Sequence, residues 1–128
     1  DVAIGPIIVE KGQKLWARQL NVEKAEAGDL KPGAKILNRG GTAWVLGLKT
    51  EDEGTVIKTI EGGRTELLGH LHVGRSGKKP RFVTIDSLFS AAIVVGSHFP
   101  TNAVEFQGKE SRKAEFFQHA DLYVGYPK

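Results

Sequence analysis

Neither cysteine nor methionine occurs among the 128 residues. Without thiols the chain can form no disulfide framework and no thiolate metal site. Without sulfur of either kind it escapes the oxidation ladder of both side chains, which suits an oxidising, extracellular setting. A start at Asp1 rather than at an initiator Met reads as the product of proteolytic processing, of a signal peptide or of a larger precursor. Apolar runs are short, and none approaches the roughly 18 residues that a membrane span needs. Charge of one sign is also scarce: 18 Lys and Arg against 15 Asp and Glu leave +3. The basic residues are scattered, apart from "GRSGKKPR" at 74–81. That cluster, with two Gly and a Pro, reads as a solvated loop; it argues poorly for nucleic acid and better for an acidic polysaccharide.

What the chain does have is repetition. The window "IVEKGQKLWARQLNVE" at Ile8–Glu23 returns at an offset of 28 as "ILNRGGTAWVLGLKTE" at Ile36–Glu51. Laid without gaps, the two match at Ile8/Ile36, Gly12/Gly40, Trp16/Trp44, Leu20/Leu48 and Glu23/Glu51. A third copy, "KTIEGGRTELLGHLHV" at Lys58–Val73, follows at an offset of 22, and sets Gly62 and Gly63 on Gly40 and Gly41, and Leu68-Gly69 on Leu46-Gly47. A looser fourth runs from Val83 to Phe99, where Ile85-Asp86-Ser87 stands for Ile60-Glu61-Gly62.

Each copy is a short apolar piece, a Gly-containing corner and a second piece with strand character. Units this small cannot bury their own apolar face and must stack on their neighbours, which predicts a β-solenoid in which like positions form ladders. Trp16 over Trp44 and Leu46 over Leu68 are the expected rungs. Gly12, Gly40, Gly41, Gly62 and Gly63 are the expected structural corners, where the backbone needs positive φ or close approach. A β-sandwich is the competing architecture. Two apolar columns, Ala17/Val45/Leu67 and Leu20/Leu48/His70, have opposite parity, and the pattern leaves open which of them faces inward. A single domain over 1–128 is expected, with 1–9 an exchanged or capping strand and 105–128 a C-terminal turn or cap, in which Tyr123, Val124 and Tyr126 favour a strand.

The pieces "LWARQLNVE", "GGTAWVLGLKTE" and "GGRTELLG" resemble secreted bacterial proteins related to pectate lyases and polygalacturonases, over about Ile7 to Val95. The resemblance implies a right-handed parallel β-helix of about four to five irregular turns, similar to the C-terminal turns of those longer enzymes. Their catalytic motifs have no counterpart. Gly69-His70 is followed by Leu71 rather than Gly, and none of the five Asp has an Asp neighbour. "TEDEG" at 50–54 reads as a solvated turn rather than a Ca²⁺ site. His70 and His72 share a face but find no third ligand, so no metal and no cofactor is expected.

The leading expectation is therefore a non-catalytic, secreted structural subunit that self-associates, its partners being copies of itself stacked head to tail into a filament. Its assembly strand would be Val2, Ile4, Ile7 and Val9, added to a neighbour's sheet edge. The alternative is a polysaccharide-binding module, or a fragment of a polysaccharide-degrading enzyme. There Trp16 and Trp44 would stack outward under a sugar ring, and Arg18 and Lys49 would pair with uronic acids.

Overall fold

The computed structural model describes residues 2–24, 33–51, 54–73, 80–94, 101–106, 109–115 and 120–125, with side chains within 5–23, 33–51, 54–73 and 81–91. Twelve strands and no helix make up these residues: β1 (Val2–Ile4), β2 (Ile7–Glu10), β3 (Lys14–Lys24), β4 (Ile36–Arg39), β5 (Thr42–Glu51), β6 (Gly54–Ile60), β7 (Arg64–Val73), β8 (Pro80–Thr84), β9 (Leu88–Val94), β10 (Thr101–Phe106), β11 (Lys109–Glu115) and β12 (Ala120–Gly125). Each repeat contributes a short strand, a corner and a longer strand. The short strands gather in one sheet, ordered β11-β10-β8-β6-β4-β2, and the longer ones in the other, ordered β1-β3-β5-β7-β9-β12. Successive copies pair in parallel in both sheets. Only β11 and β12, at the C-terminal border, run antiparallel to their neighbours. The arrangement is all-β and compatible with a β-solenoid, and its parallel stacking sets it apart from an antiparallel sandwich.

The long strands keep the expected register, with Trp16 beside Trp44 and Leu46 beside Leu68. The short strands do not. Ile7, not Ile8, lies beside Ile36, and Ile36 lies beside Ile57. The gapless pair Ile8/Ile36 is thus out by one residue. The cause is corner length: Lys11, Gly12 and Gln13 turn the first corner, whereas Gly40 and Gly41 alone turn the second. The one-residue shift puts the column Ile7, Ile36, Ile57 and Phe82 on one face, and the last three are fully buried.

Both apolar columns of the long strands point inward. Val45 and Leu67 are sealed from solvent, and so are Leu48 and His70 on the far side of Gly47 and Gly69. The parity is inverted between them because Gln19, Gly47 and Gly69 have φ of 50°, 77° and 83°. One left-handed residue in an extended strand slips the pleat by one, as a bulge does. The core thus runs continuously through Val22, Val45, Leu48, Leu67, Phe82 and Phe89.

The corner glycines divide into two kinds. Gly12, Gly40 and Gly62 adopt φ of 83°, 75° and 75°. Gly41 and Gly63 are needed for space: a Cβ on Gly41 would sit 2.6 Å from the Glu10 carbonyl oxygen, and one on Gly63 3.1 Å from that of Asn38. Asn38 braces these corners from inside. Its Nδ2 donates to the Arg64 carbonyl at 2.8 Å and to Thr65 Oγ1 at 2.9 Å, and its Oδ1 accepts from the Gly41 N–H at 2.9 Å.

The N-terminal segment lies in its own fold. β1 pairs with β3, β2 pairs with β4, and Val9 is buried while Ile7 packs on the core. At the other end, Tyr123 and Val124 fall in strand β12, as expected, and Tyr126 lies outside the described residues. Most of the basic cluster at 74–81, and the acids at 52–53, lie outside the described residues.

Candidate functional site

The outward face of the long-strand sheet collects Trp16, Trp44, Arg18 and Lys49, the residues singled out in the sequence for sugar contact. Ahead of the pleat inversion, side chains at Lys14, Trp16 and Arg18 stand beside Thr42, Trp44 and Leu46, and these beside Arg64, Glu66 and Leu68. Beyond the inversion, Asn21, Lys49 and Leu71 turn outward.

Trp16 and Trp44 stack with centroids 3.9 Å apart and planes 14° off parallel. Each ring covers one face of the other, so the pair turns mostly ring edges outward. Trp16 keeps one free face on the N-terminal side and is 68% exposed. The far face of Trp44 borders a hollow of about 170 Å³ lined with Arg64, Glu66 and Ser90.

A larger groove of about 480 Å³ crosses β3, β5 and β7 at the inversion. Gln19, Gly47 and Gly69 lie along its length, with Leu20, Leu48 and His70 on one side and Asn21, Lys49 and Leu71 on the other. The groove exists because two of the three left-handed residues are glycines: a Cβ at Gly47 would approach nothing closer than 3.7 Å. Leu46, Leu68 and Leu71 are exposed along this face.

The charges on it are unevenly committed. Lys49 donates to the Glu51 carboxylate and lies 3.8 Å from Glu23, and the hydrogen bond to Glu51 lifts its pKa above the ordinary lysine value. Its cation is balanced within the protein. Arg18, Lys14 and Arg64 are exposed and join no ion pair among the described residues. Sequence reasoning chose Arg18 and Lys49; the structure adds Lys14 and Arg64, two positions before Trp16 and Glu66 on the same face. That spacing of two in a strand was the available signal.

Behind this face His70 and His72 are buried rather than superficial. Thr50 Oγ1 lies 2.8 Å from His70 Nε2 and 3.1 Å from His72 Nδ1, and the ring of Phe82 meets His70 edge-on at 5.3 Å. Lys35 is also buried and donates from Nζ to the Glu23 carbonyl at 3.1 Å. Burial first, then His72 and Lys35, pushes the His70 pKa down to about 3. The imidazole is neutral and acts as packing. Among the described residues no three His, Asp or Glu converge on a point where a metal ion could sit.

No family model, curated protein or solved structure matches the chain.

Proposed function

We propose that this chain is a non-catalytic polysaccharide-binding module built on a right-handed parallel β-helix, and that the outward face of its long-strand sheet takes an acidic glycan. The observation that carries the reading is the groove over Gly47 and Gly69, running across the strands next to Arg18, an exposed cation with no ion pair among the described residues. A polymer lying along it would rest apolar sugar faces on Leu68, Leu71 and the glycine backbone. Its carboxylates would meet Arg18, whose planar fork suits carboxylate. Glu23 and Glu51 are both engaged with Lys49, which supports binding rather than glycosidic bond cleavage. The setting that fits is extracellular or the cell surface.

The test is affinity electrophoresis through gels containing polygalacturonate or a neutral glucan. The parent should be retarded by the polyuronate alone. Gly47→Asn, which fills the groove with a residue that tolerates positive φ, should run freely while melting within a few degrees of the parent. Equal retardation of parent and variant would remove the groove from the account.

Self-association into a filament is kept as a second reading, because among the described residues β1 and β2 each border a sheet with a single neighbour. Exchange of the strand Val2–Val9 is the less favoured route, since Val9 belongs to its own core. Direct head-to-tail stacking is the route that remains, and sedimentation velocity at rising concentration distinguishes it from a monomer.

A further inference from the structure

The outward column that begins with Trp16 and Trp44 continues as Glu66 on β7 and Ser90 on β9. The aromatic ladder therefore stops at Trp44. Glu66 is shorter than an indole and Ser90 is shorter still, so the stack ends in a step whose wall is the far face of Trp44. The column alongside, Thr42, Arg64 and Leu88, closes one flank, and together they enclose the hollow of about 170 Å³. Drug-sized ligands fill pockets of roughly 300–1,000 Å³, so this one suits a single ring. Each of the three strands that line it, β5, β7 and β9, has a neighbour on both sides. Its polar groups are uncommitted. Arg64 is exposed and Glu66 half-buried, and neither joins an ion pair among the described residues, not even with the other two positions along the same strand. A donor fork, an acceptor carboxylate and two hydroxyls that do both thus surround an apolar wall.

We propose that the step beside Trp44 is a second sugar subsite, which takes one uncharged pyranose ring. The proposal rests on the reading of this face as glycan-binding, and adds a class of sugar that the groove does not select. The ring lies with its apolar C–H face on the indole. Its hydroxyls donate to the Glu66 carboxylate and accept from the Arg64 guanidinium, while Thr42 and Ser90 serve either role. A simple ion of either sign is a poorer fit, because the cation and the carboxylate of the site balance each other. A uronic acid is disfavoured too, since a ring stacked on Trp44 lies over Glu66 and would bring like charges together. The two subsites are distinct. Trp44 and Gly47 lie three residues apart along β5, about 10 Å in an extended strand, with Leu46 and Leu68 exposed between them. A linear acidic chain in the groove therefore does not cover the step, and the two fill independently.

The experiment is a chemical-shift titration of the isotopically labelled protein with the methyl glycosides of glucose, galactose, mannose and xylose, and with those of glucuronic and galacturonic acid. At least one neutral glycoside should give saturable shifts at the Trp44 indole N–H and at the amides of Glu66 and Ser90. The matching uronic acid should bind roughly tenfold more weakly, and Glu66→Gln should narrow that gap. The neutral response should persist when oligogalacturonate is present at saturation. No saturable shift at these groups, a uronic acid bound as well as its neutral counterpart, a gap that Glu66→Gln leaves unchanged, or displacement by oligogalacturonate would overturn the proposal. So would a stronger response of the same groups to tetramethylammonium or to guanosine, which would make the step a cation or nucleobase site. If oligogalacturonate leaves Gly47 and Gly69 unmoved while the step responds to a neutral glycoside, the groove reading fails and the step stands; the converse removes the step alone.

Discussion

Residue by residue, the corners carry most of the structural specificity. Gly12 and Gly41 sit in successive corners for different reasons, and substitution should separate them. Gly12→Ala meets open space and costs only the left-handed backbone, about 1–2 kcal/mol. Gly41→Ala drives a methyl to within 2.7 Å of Val9 Cγ1 as well as against the Glu10 carbonyl, and should cost about 3 kcal/mol. Urea denaturation compares them, and equal losses would refute the distinction. Both glycines could be picked out in the sequence as corners, but the two mechanisms could not, because close approach depends on which strand lies behind. Asn38 was not singled out at all. An Asn in a short apolar strand gives no local sign that it points inward, yet Asn38→Ala should cost roughly 2–3 kcal/mol by stranding the Gly41 N–H. His70 gives a pH dependence with a definite sign. Its ordinary pKa of 6.5 falls to about 3 in the fold, so between those values the unfolded chain binds the extra proton. Stability is untouched above about pH 6.5 and declines below it, by at most about 1.4 kcal/mol per unit. Unfolding from pH 7 to 4 should show a shallower decline in His70→Leu than in the parent. Parallel curves would mean that His70 is protonated in the fold.

At the scale of strands, the repeat was legible and its interruptions were not. The 28- and 22-residue offsets correctly paired β3 with β5 and β5 with β7, because those strands carry distinctive rungs such as Trp16 and Trp44. They failed by one residue at β2 and β4, since a gapless comparison cannot see that one corner is shorter than another. The facing of the long strands stayed open for a related reason. A period of two presumes an unbroken pleat, and Gly47 and Gly69 break it in the middle of the strand. The repeated Leu-Gly pair was the visible sign. β2 supplies a prediction at this scale: Val9 lies in its own core at 3% exposure, so Val9→Ala should lower stability by roughly 1–3 kcal/mol in a concentration-independent manner. A melting temperature that falls on dilution would instead show that the strand is held by a neighbour.

For the whole molecule, stacking in parallel has one functional consequence that a closed fold lacks. Every outward position recurs at the strand spacing of about 4.8 Å, so a feature built once becomes a line. Here the inverted pleat becomes a groove and the aromatic position becomes a stack, and both cross the strands as an extended ligand would. The candidate site was half legible on these terms. Trp16, Trp44 and Arg18 were singled out in the sequence, and the strand register sets them on one outward face. The groove was missed because it is lined by what glycines leave out, and the pairing of Lys49 with Glu51, two residues on in the same strand, was not read from the sequence although its spacing allowed it. The most direct measurement is an amide chemical-shift map of the isotopically labelled protein titrated with oligogalacturonate. Shifts concentrated at Gln19, Gly47 and Gly69, and at Arg18 beside them, are the result this account predicts. No shifts at saturating ligand, or shifts confined to the short-strand sheet, would contradict it.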